Sequence, residues 1–224
     1  MKKPGFFDRI RIECDSFFDG IIDVVDHLVD PDEFNDKGSS GEQYTYNVLC
    51  QLFPKNRVFR NVYISKSNGR LTEIDLIAIS EKGVFVFESK NYSGWIFGNS
   101  TNRYWTQFLP NSMKNRFYSP ILQNIGHVKA LREKLDAFPQ ANYHSLIVFS
   151  KHCELKKITN TKPDTYVLKR PELRFYLKQI MKNAPRGVLA PEEVERIAAW
   201  LKACERPDKK LKDRHLAELK AGNK

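Results

Sequence analysis

Apolar residues recur along this chain in two rhythms, and the switch between them divides it. Over residues 17–29, apolar pairs such as Ile21-Ile22 and Val24-Val25 return every three to four positions with aspartates between them, which predicts an amphipathic helix interrupted by Gly20. Residues 30–40 are rich in turn formers and read as a linker. Tyr44, Val48, Leu49 and Leu52 then follow helical spacing until Pro54, with Ser40 as the expected N-cap and Glu42 in the first turn. An acid there is accounted for by the helix dipole alone, so Glu42 has a structural reading beside any chemical one. Alternation takes over next, predicting strands over 57–64, 72–80 and 84–90, with a turn at Ser67-Asn68-Gly69. Short aromatic runs at 95–97 and 104–108 suggest a small hairpin appended to the sheet. Pro120 opens a helix through Leu122, Ile125, Val128, Leu131 and Leu135, with Gln123, Asn124 and His127 on its more polar side. Residues 143–149 read as a strand short enough for the middle of a sheet, and 165–168 as another. Two helices, over 171–182 and 191–204, each start with Pro and an acidic first turn.

Three polar residues break the apolar strands. In 84–90, Val84, Val86, Glu88 and Lys90 project to one face, while Asp75, Ile77 and Ile79 form one row of the preceding strand. If Glu81-Lys82 is a two-residue hairpin loop, Ser80 pairs with Gly83 and Asp75 stands opposite Glu88, about 5 Å away between Cβ atoms. A three-residue loop ending in a left-handed Gly83 would instead set Asp75 against Ser89, on the wrong face. Neighbouring acids on two strands repel unless a cation neutralises them. Carboxylate oxygens suit Mg²⁺ or Mn²⁺, and the ammonium of Lys90 offers the alternative of a simple ion pair.

Charge adds direction. The net charge is +10, yet residues 1–40 carry ten acids against five bases, a balance of −5 that leaves +15 for the rest. A surplus of that sign attracts polyanions, although many basic proteins bind none. No apolar run approaches the roughly 18 residues of a membrane span, and the first residues lack the apolar core of a signal peptide, so a cytoplasmic protein is expected. Cys14, Cys50, Cys153 and Cys204 are scattered without paired spacing, which predicts buried free thiols rather than a zinc site or disulfides.

The motifs GSSGE (38–42), TEIDLIAIS (72–80), GVFVFESKNYSGWIFG (83–98), Trp105 and YSPILQNIGHVKAL (118–131) together resemble the nuclease-related domain (NERD) family of the restriction endonuclease-like PD-(D/E)xK superfamily. The resemblance implies an α/β fold with a restriction endonuclease-like core, a central mixed β-sheet flanked by helices. To this core the chain adds the N-terminal amphipathic helix and C-terminal helices. The expected organisation is an acidic helix and linker (1–37), the nuclease-like core (38–150), a strand and helices completing the domain (151–205) and a basic tail (206–224).

Carried over by position, the resemblance makes Asp75, Glu88 and Glu42 metal ligands, Lys90 the partner of the attacking water, and Gln123 a support of the same pocket. Ser119 stands where the family often has Asn. The implied activity is hydrolysis of phosphodiester bonds, DNA being the expected substrate, with Mg²⁺ or Mn²⁺. Lys90, Asn91, Trp95, Arg103 and Trp105 are the expected nucleic-acid contacts, since a hairpin beside a reactive face offers rings for stacking. Two alternatives stay open, an inactive nucleic-acid-binding module and a scaffold acting through the N-terminal helix, which also offers a face for a homodimer.

Overall fold

A computed structural model describes residues 39–110 and 113–205. The chain divides into two units, Met1–Asp36 and Lys37–Lys224, and the described residues all lie in the second. The expected N-terminal helix and the basic tail fall outside them. Helix α1 (Ser39–Leu52) opens the unit. It begins one residue before the expected cap, so Ser40 lies inside the first turn. A short 3-10 turn (Lys55–Arg57) leads into strand β1 (Val58–Ser65), then β2 (Leu71–Ser80) and β3 (Gly83–Lys90).

The β2–β3 connection decides the register. Ser80 pairs with Gly83, Ile79 with Val84 and Leu76 with Phe87, so the loop is the two-residue Glu81-Lys82 turn. Gly83 has φ +127°, and a Cβ there would collide with the Asn142 carbonyl, which accepts the Val84 amide at 2.8 Å.

After β3 the chain forms β4 (Gly94–Asn99), β5 (Tyr104–Phe108) and β6 (Lys114–Tyr118), then helix α2 (Pro120–Lys134) and β7 (Tyr143–Phe149). Strands β8 (Cys153–Thr159) and β9 (Thr165–Lys169), a 3-10 turn (Arg170–Glu172) and helices α3 (Leu173–Asn183) and α4 (Pro191–Cys204) complete it. The main sheet has the order β1-β2-β3-β7-β9 and the second sheet β6-β5-β4-β8. The first three strands of the main sheet are antiparallel, and β3, β7 and β9 are parallel, which gives the mixed sheet expected of a restriction endonuclease-like core.

Strands β3 and β7 pair in parallel, and their continuations β4 and β8 pair in parallel again in the second sheet. The second sheet is therefore an outgrowth of the central strand pair. Its inner face packs Trp105 flat on Phe149, with ring centroids 6.1 Å apart, beside Ile96, Ile121 and Ile147.

Each face of the main sheet has its own helical cover. Ile77, Ile79, Val84 and Val86 join Leu131 of α2 and Ile197 and Leu201 of α4 in one apolar cluster. On the opposite face, Phe53 just after α1 meets Phe85 edge-on at 5.3 Å, and α3 lies beside α1. Central strands buried on both faces read as continuous apolar runs, which is why 143–149 is legible as an interior strand. No helix among the described residues is long and apolar enough to cross a membrane. Cys50, Cys153 and Cys204 are free thiols, of which Cys153 alone is buried while the other two are half-buried.

Candidate functional site

The site grows from an irregularity at Asp75. Strand β1 pairs with β2 from Val58–Ala78 to Ser65–Leu71 in one register, but the rung between Asn61 and Asp75 is missing. Asn61 has φ +47° there, a left-handed conformation that Asn tolerates better than most residues. On the other side, the β2–β3 pairing ends at Leu76 and Phe87, one rung before Asp75 and Glu88. Asp75 is thus released from regular pairing on both flanks. Its carboxylate Oδ2 accepts the backbone amide of Ser89 at 2.8 Å.

Glu88 is the last buried residue of β3, 2 % exposed, before the half-buried Ser89 and Lys90 finish the strand. Its Oε1 receives the Lys90 ammonium at 2.7 Å, and Lys90 Nζ also donates to Gln123 Oε1 at 3.2 Å. Gln123 is delivered by the first turns of α2, where Ser119 caps the helix by accepting the Leu122 amide at 3.4 Å, followed by Pro120 in the first turn. Ser119, at the position where the resemblance expected Asn, therefore serves as a buried helix cap. Glu88 Oε2 is buried without a hydrogen-bond partner.

Burial dominates the electrostatics. Loss of solvation and then the charge of Asp75 push the Glu88 carboxyl up to about 8, against the opposing pull of Lys90. Asp75 is raised for the same first reason, with the Ser89 amide and Lys90 pulling it back. Burial is the largest influence on Lys90 and would lower it, but the charge and hydrogen bond of Glu88 together with Asp75 outweigh it and hold the ammonium above its usual value. Lys90 is therefore a fixed cation at neutral pH.

The sequence pattern puts His127 on the polar side of α2. The structure turns it inward, 3 % exposed, with Nδ1 3.5 Å from Glu88 Oε2. Burial depresses it to about 3, so the imidazole is neutral and the contact is not an ion pair. Asn124 is inward too, donating from Nδ2 to the Val86 carbonyl and to Ser145 Oγ, both at 2.9 Å. Polar side chains here face the sheet because they bond across it, a pattern that hydropathy alone cannot tell from solvent exposure.

Glu42 joins through its field. Burial, then Asp75, raise its carboxyl, while Arg60 lowers it, and its charge in turn adds to the rise of Glu88. Among the described residues no group of three or more His, Cys, Asp or Glu side chains gathers as a metal cage; Glu42 reaches Glu88 through its charge, while Asp75 and Glu88 form the pair at the end of the β2–β3 ladder. That pair still fits a small divalent ion. Mg²⁺ commonly takes only one or two protein carboxylates and keeps waters elsewhere, Glu88 Oε2 is a buried oxygen without a hydrogen-bond partner, and the raised Glu88 carboxyl would give up its proton on binding such an ion.

A second residue lay beyond any motif. Arg170, 5 % exposed, sits with its guanidinium over the Tyr44 ring and donates to Asn91 Oδ1 at 3.4 Å. Any Cβ at Gly41 would strike that guanidinium, so Gly41 in the first turn of α1 makes room for Arg170 beside Asn91. Of the expected nucleic-acid contacts, Trp95 is exposed on the second sheet and Arg103 rests near Tyr104. Trp105 is different. It is 1 % exposed and stacked inside the core, so its ring cannot take a base.

Comparison with known proteins agrees with this frame. Residues 37–150 match the model of the nuclease-related domain. A relative from Bacillus anthracis, an uncharacterized protein, is 32 % identical over 186 residues, covering 82 % of this chain and 84 % of its own length. No solved structure matches the chain.

Proposed function

Because the chain belongs to the nuclease-related domain family, we propose that it is a metal-dependent nuclease that hydrolyses phosphodiester bonds in nucleic acid, DNA first among them. The observation that carries this reading is the convergence of Asp75, Glu88 and Lys90 where the β2–β3 ladder ends. Asp75 and Glu88, with the backbone carbonyl after Glu88, would hold Mg²⁺ or Mn²⁺. When bound, such an ion polarises the phosphate and acidifies a water.

The chain's own groups have separate tasks. Lys90 spends two of its three protons on Glu88 and Gln123, which leaves one for a water or phosphate oxygen. Being a fixed cation, it does not accept the water's proton. It orients the nucleophile and offsets the charge that builds on the non-bridging phosphate oxygens as the new P–O bond forms and the bond to the leaving oxygen breaks, the water's proton passing to solvent and the leaving oxygen taking one from solvent. Gln123 and Glu88 fix the direction of the ammonium. Asp75 holds the Ser89 amide and so the last residues of β3. Arg170 supplies a second buried cation beside Asn91, in reach of the same strand end. The surplus of positive charge steers a polyanion to the domain.

The test is degradation of plasmid, linear duplex, single-stranded DNA and RNA by the purified full chain with Mg²⁺ or Mn²⁺. The reading expects metal-dependent cleavage that Asp75→Ala and Lys90→Ala abolish. Equal cleavage by the wild type and both variants would assign the activity to a contaminant. A fold-keeping binding module is the competing reading, favoured by the Lys90–Glu88 bond at 2.7 Å, which accounts for both groups as a simple ion pair. It expects salt-sensitive affinity without cleavage. Self-association through residues 17–29 and residence in the cytoplasm belong to the same proposal, the first testable by deleting residues 1–36.

A further inference from the structure

The outer face of the second sheet is a grid of aromatic rings and cations. Pairing sets Tyr118 beside Tyr104, Arg116 beside Thr106 and Lys114 beside Phe108, and across β5 it sets Thr106 beside Phe97 and Phe108 beside Trp95. The inner residues Ile96, Trp105 and Phe117 enter the core, so alternation sends these outward. Trp95 is 52 % exposed, and Tyr104 and Tyr118 are each 44 % exposed. Cations rest on the rings: Arg116 lies 5.0 Å and Arg103 5.7 Å from the centre of Tyr104, and Lys156 lies 5.2 Å from that of Trp95. Lys157, paired with Phe97, adds another base, and Glu154, opposite Trp95, is the acid on the face.

We propose that this face is a stacking platform for single-stranded nucleic acid, feeding the site on β3. The proposal rests on the nuclease reading above and names the form of substrate it takes. Charge complementarity selects the occupant. A face with several cations and one acid disfavours a cationic or aliphatic partner and suits a polyanion, and exposed rings suit bases whose flat faces are open. Base pairs in a duplex hide those faces. Four-stranded sheets elsewhere stack two or three bases on outward aromatics, and here Tyr104 and Phe108, on one strand, span about 13 Å. A base that takes the ring of Tyr104 or Trp95 leaves the cation now resting there within side-chain reach of its phosphate. The platform is close to the chemistry, since Trp95 follows Lys90 by five residues and its Cα is within about 18 Å along the chain.

Trp95 also reports on itself. Of the three tryptophans, Trp105 is buried and Trp200 packs against the core, so quenching by a ligand reads the platform. The experiment uses the full chain in EDTA with fluorescein-labelled 20-mers of dT and U, the matching DNA duplex, and anionic phospholipid vesicles. The expected result is that both single strands quench tryptophan emission and bind at least about tenfold more tightly than the duplex, and that Trp95→Ala and Tyr104→Ala each weaken binding about tenfold. Arg116→Glu, which leaves the rings intact, should weaken it too and lower the salt dependence. Variants that bind single strands as the wild type does overturn the platform, as do equal affinities for single strand and duplex, or response to vesicles without response to oligonucleotides. Binding and quenching without any metal-dependent cleavage would keep the platform and remove the nuclease. Cleavage of duplex with unaffected variants would do the reverse.

Discussion

The Asp75 carboxylate accepts the Ser89 amide at 2.8 Å where the β2–β3 ladder has just ended. One acid thus does the work of a backbone carbonyl, and the same bond fixes the approach of Asp75 to Glu88.

That relationship separates two substitutions. Asp75→Asn keeps an oxygen for the Ser89 amide and should retain the wild-type melting temperature while losing cleavage. Asp75→Ala leaves the amide unpaired and should cost about 1–3 kcal/mol as well. Thermal melts beside cleavage assays distinguish them, and equal destabilisation by both would contradict the bond's structural part.

Glu88 gives stability a pH dependence. Its carboxyl is pushed up to about 8 in the folded protein from a usual 4.5. The stability contributed by this raised group is therefore complete below about pH 4.5 and lost as pH rises through about 8. In EDTA, the melting temperature of the wild type should fall against that of Glu88→Gln between about pH 5 and 8.5. Mg²⁺ should restore it mainly at the alkaline end, where the ion no longer competes with a proton. A difference between the two proteins that is flat with pH would contradict this.

Gly41 and Arg170 should couple. Gly41→Ala drives a methyl group against the tip of the guanidinium, which must shift aside, so the helical gain of about 1 kcal/mol of alanine over glycine should be reduced or cancelled. In the Arg170→Ala background the same change should stabilise by that full gain, and a denaturant-based double-mutant cycle measures the coupling. Strict additivity would mean that the two do not meet.

Asn61 carries the strain opposite Asp75. Asn61→Gly should be tolerated within a few tenths of a kcal/mol, whereas Asn61→Val should lose about 1–2 kcal/mol, since a branched side chain resists φ +47°. Urea unfolding reads both.

Much of the frame was legible because its strands are either alternating or fully apolar. β2, β3 and β7 carry that signal, and prolines mark the starts of α2 and α4. Strands β6 and β8 carried none. Lys114–Tyr118 and Cys153–Thr159 are edge strands with mostly exposed, charged residues, and they are extended because β5 and β4 offer them hydrogen bonds. The Asp75, Glu88 and Lys90 cluster was readable from alternation once the turn length was assumed. His127 and Arg170 were not, since one resembles a solvent-facing histidine and the other lies in no motif. Trp105 misled for a related reason, because an aromatic on a hairpin carries no mark of which face it takes.

The most direct test of the nuclease reading is the single-turnover rate of cleavage of a labelled DNA strand with saturating Mg²⁺, compared between the wild type and Lys90→Ala. The account predicts a rate lower by about 10²-fold or more in Lys90→Ala, with the strand still bound. Equal rates in the two proteins, or no metal-dependent cleavage by the wild type, would contradict it.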